Sequence, residues 1–282
     1  MTEVASAREP AADDFGGRGV LLGWDDFVLW LKGRKTSHTV GGDLIRLPPP
    51  WKPGQHWSHV GKTREGKTNF VLVKALAVRK YVMVLDPKGN DPTLVKSGWP
   101  RVDGVPPHKR FPKDIQKALD EGQRPVRLIV GTGTRTREDD EANRTLMSQA
   151  VEYARQSGGW TLVVDEHQVA SDPRMYRIGP EIARMAVSAA SDKTSVEVCM
   201  QYVAWSEKAP IRQASFVSFW HNKSQDLFKR LGLEIGRDWH ELAAISDELP
   251  EFYIATVCDK SRAPILVTRP PELGRGRGSG GN

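Results

Sequence analysis

Residues 61–68 read GKTREGKT and meet every fixed position of the phosphate-loop pattern G-x-x-x-x-G-K-[ST]. Each fixed position has a chemical reason. Gly61 and Gly66 let successive backbone N–H groups turn toward one point, and a helix starting immediately behind them adds its partial positive charge. Such a cradle suits the oxygens of a polyphosphate. Lys67 can reach the β- and γ-phosphates, and the Thr68 hydroxyl can ligate Mg²⁺. Nucleotide contacts are therefore expected from Gly61, Lys62, Thr63, Arg64, Glu65, Gly66, Lys67, Thr68 and Asn69, the last of which begins the apolar run behind the loop.

A second string, WTLVVDE at 160–166, places two acids at the end of an apolar run. Ligands of open parallel sheets lie beyond the carboxyl ends of the strands, so these carboxylates would face the phosphates. Asp165 would hold Mg²⁺ through its water shell. Glu166 would polarise a water attacking the γ-phosphate.

Strand and helix signals alternate around these two strings. Gln55–Val60 is strand-like, and Asn69–Val78 (NFVLVKALAV) is apolar enough for a buried helix. Further short apolar runs stand at Tyr81–Leu85, Val126–Val130, Trp160–Val164, Ser195–Met200 and Ser215–Trp220. Leu146, Ala150, Val151 and Ala154 recur at helical spacing within 141–155, and Pro180–Ala190 is also helical. Glu251–Val257 and Pro264–Val267 read as a closing hairpin. The pattern predicts an α/β fold with a mostly parallel sheet flanked by helices.

The expected organisation is a disordered polar stretch over 1–15, a helical adaptor segment over 16–50, a nucleotide domain over 51–269, and a disordered Gly/Arg tail over 270–282. Within the adaptor, 20–35 is predicted as an amphipathic helix, and the proline-rich 47–54 marks the start of the domain. At 282 residues and 39% hydrophobic content the chain can bury a sizeable core. No apolar run approaches the roughly 20 residues that span a bilayer, and the first fifteen residues lack the apolar region of a signal peptide. A cytoplasmic location without membrane contact is expected, the host cytoplasm in the case of a viral protein. The two cysteines, Cys199 and Cys258, have no metal-ligand spacing and fit buried thiols. A net charge of +6 favours a polyanionic partner.

The order GKTREGKT, LDPKG at 85–89, VVDE at 163–166 and VEVCMQ at 196–201 resembles the HerA/FtsK superfamily of DNA-pumping ATPases over about residues 51–270. That resemblance implies a P-loop NTPase of RecA-like form, of the type with an additional strand and a catalytic glutamate. It implies ATP and Mg²⁺ as cofactors, and Gln201 as the polar sensor of the γ-phosphate. It implies a homo-oligomeric ring in which one subunit's arginine reaches its neighbour's nucleotide. Arg184 and Arg212 are the residues expected in that role, with Arg144 and Arg177 behind them. The catalytic set is thus Glu166, Lys67, Gln201, Arg184 and Arg212, and the metal set Thr68 and Asp165.

Double-stranded DNA would be gripped through its backbone without base reading, by basic loops such as Thr132–Arg137 or the cluster Lys109, Arg110 and Lys113. A portal or another packaging or transfer component would dock the ring. The small-residue run usual inside the family's phosphate loop is replaced here by Lys62, Thr63, Arg64 and Glu65, which suits a divergent viral or mobile-element member. Within 282 residues there is little room for a following nuclease domain. A terminase-type ATPase subunit without nuclease, or an ATP-dependent switch or assembly factor, are the other readings. Glu166 speaks against a pure switch, and no lid or acceptor pocket marks a small-molecule kinase.

Overall fold

The computed structural model describes residues 15, 18–89, 91–102, 126–131, 137–258 and 263–271. The chain begins with β1 (Gly19–Leu21), α1 (Trp24–Leu31) and the pair β2 (Ser37–Val40) and β3 (Asp43–Arg46). There follow β4 (His56–Val60), α2 (Lys67–Val78), β5 (Val82–Leu85), α3 (Pro92–Lys96), β6 (Arg101–Val102) and β7 (Arg127–Val130). The next elements are α4 (Arg137–Ser157), β8 (Thr161–Val164), α5 (His167–Ser171), α6 (Gly179–Asp192) and β9 (Ser195–Met200). The last are α7 (Ala209–Arg212), β10 (Ala214–Phe219), α8 (Gln225–Ile235), α9 (Trp239–Glu248), β11 (Ile254–Cys258) and β12 (Ile265–Thr268).

One sheet carries all the strands except β2 and β3, in the order β1-β12-β11-β10-β4-β9-β8-β5-β7-β6. From β10 to β6 every pairing is parallel. Parallel strands need both faces covered, and β4, β5, β8 and β9 are buried at every residue. The strand ending at the phosphate loop, β4, and the strand ending at Asp165, β8, are not neighbours, because β9 lies between them. This is the additional-strand arrangement. It sets three loops side by side at one edge: the phosphate loop after β4, Gln201 after β9, and Asp165 and Glu166 after β8. β5, on the other side of β8, delivers the Asp86–Gly89 turn to the same edge.

The helical faces follow from the apolar spacing. α4 buries Leu146, Ala150, Val151 and Ala154, the stripe its sequence predicted, together with Met147. α8 starts at Ser224, whose side chain accepts from Leu227 N, and stops at Gly236 in the left-handed conformation. β11 and β12 form the expected antiparallel hairpin.

The N-terminal segment departs from expectation. The helix predicted over 20–35 is shorter, because Val20 pairs with Leu266 in β1 and Gly33, at φ +69°, ends the chain's helical path. β2 and β3 form a hairpin where no regular structure was foreseen, joined by Gly41 and Gly42, both at positive φ. The segment is built into the nucleotide domain. Phe27 and Trp30 are fully buried with Trp57, Phe70 and Phe216, and Trp30 Nε1 donates to Pro48 O at 2.8 Å. Burying five aromatic rings together gives this junction a large apolar contribution, and the indole N–H groups find partners, as buried tryptophans require. The expected stretch 1–14, the basic residues 103–125 and 132–136, and the tail from 272 lie outside the described residues.

Candidate active site

The phosphate loop departs from β4 at Gly61 and enters α2 at Lys67. Gly66 sits at φ +85°, a conformation only glycine takes without strain, and it turns the chain into the helix. Arg64 also has positive φ, +70°. The carboxylate of Glu65 folds back beneath the loop and accepts from Lys62 N at 2.5 Å. A Cβ at Gly61 would meet Glu65 Oε2 at 2.6 Å and the Trp220 ring at 3.1 Å, so a side chain there would push the Glu65 carboxylate out of its place and press on the indole. Burial raises the Glu65 carboxyl above its usual range, with the Lys62 N–H pulling the other way. The charged residues inside the loop thus include an internal brace for it. Lys67 Nζ donates to Gly61 O at 2.7 Å and Lys62 O at 2.6 Å.

The two sequence strings meet at Thr68, whose Oγ1 donates to Asp165 Oδ1 at 3.1 Å. Asp165 is buried, and its carboxyl is pushed up to about 7, first by burial and then by the charges of Asp91, Glu166 and Asp86. A buried carboxylate next to a hydroxyl and other acids, with no ion pair to a cation among the described residues, suits a hard divalent cation. Among the described residues no group of three or more His, Cys, Asp and Glu is arranged to hold a metal. Mg²⁺ usually takes one or two protein ligands and completes its shell with phosphate and water. Thr68 and Asp165 are the residues that would hold it.

Glu166 begins α5 from the left-handed region, φ +48° and ψ +56°, an uncommon conformation for a residue with a side chain. Its carboxylate is crowded with donors. Gln201 Nε2 lies 3.1 Å from Oε1 and 2.9 Å from Oε2, Gln168 Nε2 donates to Oε2 at 2.5 Å, and Lys88 Nζ pairs with Oε1. Gln168 Oε1 in turn accepts from Gln201 N at 3.1 Å. Gln201, expected to face a phosphate, here contacts the neighbouring carboxylate.

Lys88 is held at its backbone. Asp86 accepts from Gly89 N at 3.0 Å and from Arg101 Nη2 at 2.8 Å, and the Tyr176 hydroxyl donates to Pro87 O at 2.7 Å. The LDPKG turn is therefore a fixed mount that aims one lysine at Glu166.

Behind the loop lies a network the sequence reading missed. Glu197 of β9 pairs with Lys74 of α2 and with His59 Nε2 of β4 at 3.0 Å, all three fully buried. Lys74 also sits 3.5 Å from the centre of the Trp57 ring, a favourable place for a desolvated cation. Burial draws Lys74 down to about 8 and His59 down to about 4, while Lys74 and His59 outweigh burial and keep the Glu197 carboxyl below its usual value. The signal was a titratable residue inside each of three segments that fold as buried elements: His59 in HWSHV, Lys74 in NFVLVKALAV and Glu197 in SVEVCM.

The arginines stand elsewhere. Arg184 is exposed on α6, near α4, where Glu152 is held ionised first by its hydrogen bond to Arg155 and also by the charge of Arg184. Arg212 is exposed and ion-paired through Nε to Glu234 Oε2 at 2.6 Å. It precedes β10, whose first residue pairs with the start of β4, so it lies at the sheet edge opposite the phosphate loop. Arg144 pairs with Glu141, and Arg177 Nε donates to Pro173 O. Asn69 Nδ2 donates to Pro271 O at 3.2 Å. Beside it a cavity of about 170 Å³ has Gly66 and Asn69 at its base and Trp220, Phe252, Arg269 and Pro270 as walls.

The fold is shared with solved structures. The genome packaging NTPase B204 of Sulfolobus turreted icosahedral virus 2, in complex with AMPPCP, superposes with a TM-score of 0.52 at 12% identity, over 78% of this chain and 100% of that one. This is a phosphate-loop NTPase fold. B204 from Sulfolobus turreted icosahedral virus, described as a DNA-packaging ATPase, gives a TM-score of 0.53 at 16% identity, over 79% and 100% of the two chains. VirB4 of Thermoanaerobacter pseudethanolicus gives 0.56 at 10% identity, over 84% and 96%. The α/β fold implied by the motif order is thus the fold found. No protein-family profile and no curated protein matches the chain.

Proposed function

We propose that this chain is an Mg²⁺-dependent ATPase that moves double-stranded DNA as a ring oligomer, of the phage or mobile-element packaging type. The observation that carries the reading is the Thr68–Asp165 hydrogen bond with Glu166 one residue further on, which joins a phosphate cradle, a metal position and a general base at one sheet edge. The packaging and VirB4 neighbours support the motor interpretation through their shared fold and the names they carry.

The chain's residues divide the work. Loop N–H groups from Gly61 to Thr68 bind the phosphates, and Lys67 exchanges its two carbonyl partners for phosphate oxygens, which are stronger acceptors for an ammonium. Bound Mg²⁺ would neutralise charge across the β- and γ-phosphate oxygens, with Thr68 and Asp165 as its protein partners. Glu166 accepts the proton of the attacking water, and Gln201 orients that carboxylate. The aromatic-walled cavity against Gly66 and Asn69 receives the nucleobase. An arginine from a neighbouring subunit, Arg184 or Arg212 in this reading, acts on the γ-phosphate; Arg212 must first leave Glu234. DNA is held by its backbone, and a portal or transfer component docks the ring.

The test is ATP hydrolysis by the assembled oligomer, with and without long duplex DNA, for wild type and Glu166→Gln. The variant should keep ATP binding and lose turnover by about 10²–10⁴-fold. Unchanged hydrolysis removes Glu166 from its role, and absence of stimulation by DNA counts against the motor.

A further inference from the structure

A carboxylate has about four lone-pair positions, and on Glu166 all are taken: Lys88 and Gln201 on Oε1, Gln201 and Gln168 on Oε2. With this occupancy no position is left to receive a water proton. At least one donor must leave before Glu166 can act as a base. The two glutamines hold each other as well as Glu166, through the Gln201 N to Gln168 Oε1 bond, so they form a closed pair. Lys88 stands on the opposite side, delivered by β5 rather than β9, and its side chain is about one-third exposed. It is also the donor with a full charge. A second anion close by competes for it directly.

The nucleotide supplies that anion. A water poised between Glu166 and the γ-phosphorus sets the two groups within about 6 Å of each other, two contacts of about 3 Å laid end to end. An ammonium touching Glu166 reaches that phosphate by rotating its flexible four-carbon stem. Its backbone need not move, which suits the braced Asp86–Gly89 turn.

We propose that Lys88 is the positioning residue that occupies Glu166 between turnovers and passes to the γ-phosphate when ATP is bound, freeing the base only when there is a phosphate to attack. The proposal rests on the ATPase reading above. It makes Lys88 a check on idle proton traffic at Glu166 and ties base release to a third phosphate, which ADP lacks.

The sign of a double-substitution cycle tests it. Affinities for ADP and for AMPPCP, an ATP analogue that is not hydrolysed, are measured by calorimetry with Mg²⁺ for wild type, Glu166→Gln, Lys88→Met and the double variant. Glu166→Gln raises the preference for AMPPCP over ADP, because carboxylate repulsion of the γ-phosphate disappears. If Lys88 transfers, the same change also removes its competing partner, so the rise is larger with Lys88 present than in the Lys88→Met background, by about fivefold or more. If Lys88 stays on Glu166, it screens the repulsion, and the rise is smaller with Lys88 present. That result, or no coupling, overturns the proposal. Lys88→Arg should restore the wild-type sign. Thermal unfolding of each variant separates a folding defect from lost coupling, and a wild type that binds neither nucleotide instead overturns the ATPase reading itself.

Discussion

Gln201 Nε2 donates to both carboxylate oxygens of Glu166, at 3.1 and 2.9 Å, across the gap between β9 and β8. In the proposed ATPase, a glutamine in this position acts by orienting Glu166 and meets the phosphate only through that partner. Gln201→Leu should therefore lower turnover by about a hundredfold, the usual cost of misplacing a catalytic group by about 1 Å. AMPPCP affinity should stay close to wild type. Measured by calorimetry, a large loss of affinity would show direct phosphate contact instead.

Asp165 gives the site a pH signature. Its carboxyl rises from 3.8 to about 7 on folding, so the native protein keeps a proton that the unfolded chain releases. Stability from this group is complete below about pH 4 and is lost as pH climbs toward 7, by at most about 1.4 kcal/mol per pH unit. His59 and His167, held neutral by burial with values near 4, act in the opposite direction between pH 4 and 6.5. The contribution of Asp165 is therefore read as the difference between wild type and Asp165→Asn in metal-free urea unfolding at pH 5 and 8. The variant should gain stability relative to wild type at pH 8. Mg²⁺ binding to wild type below pH 7 should release a proton, detectable by calorimetry in buffers of different ionisation enthalpy.

Glu197→Ala leaves Lys74 buried beside His59 with no countercharge, and should destabilise the fold by about 3–5 kcal/mol in urea titration. Glu197→Ala with Lys74→Met removes both charges and should recover most of that loss. No recovery would mean that Glu197 stabilises mainly through His59.

The core of the site was legible because its chemistry is local. GKTREGKT and VVDE each lie in a few consecutive residues, and buried parallel strands read as short apolar runs. What escaped depends on distance along the chain. Lys88 reaches Glu166 from the turn after β5, 78 residues earlier in the chain, and only the strand order β5-β8-β9 sets it beside Gln168 and Gln201. The Val40–Gly41–Gly42–Asp43 turn carried a readable hairpin signal, passed over because the flanking strands are short and half exposed. Val20 looked helical beside α1, and its strand character comes from Leu266, nearly the whole chain away.

Glu197 lies in β9 four residues before Gln201, which follows the strand's end, and is tied to α2 by Lys74 and to β4 by His59. Sliding β9 along either neighbour would pull apart two buried polar pairs at once, so the strand behaves as a fulcrum. If the chain is the motor proposed above, a stroke that starts at the γ-phosphate has to be levered out beyond Gln201, where Tyr202 is half exposed and the chain leads into α7, whose Arg212 pairs with Glu234 of α8. In that proposal the anchored sheet is the stator and α8 the arm.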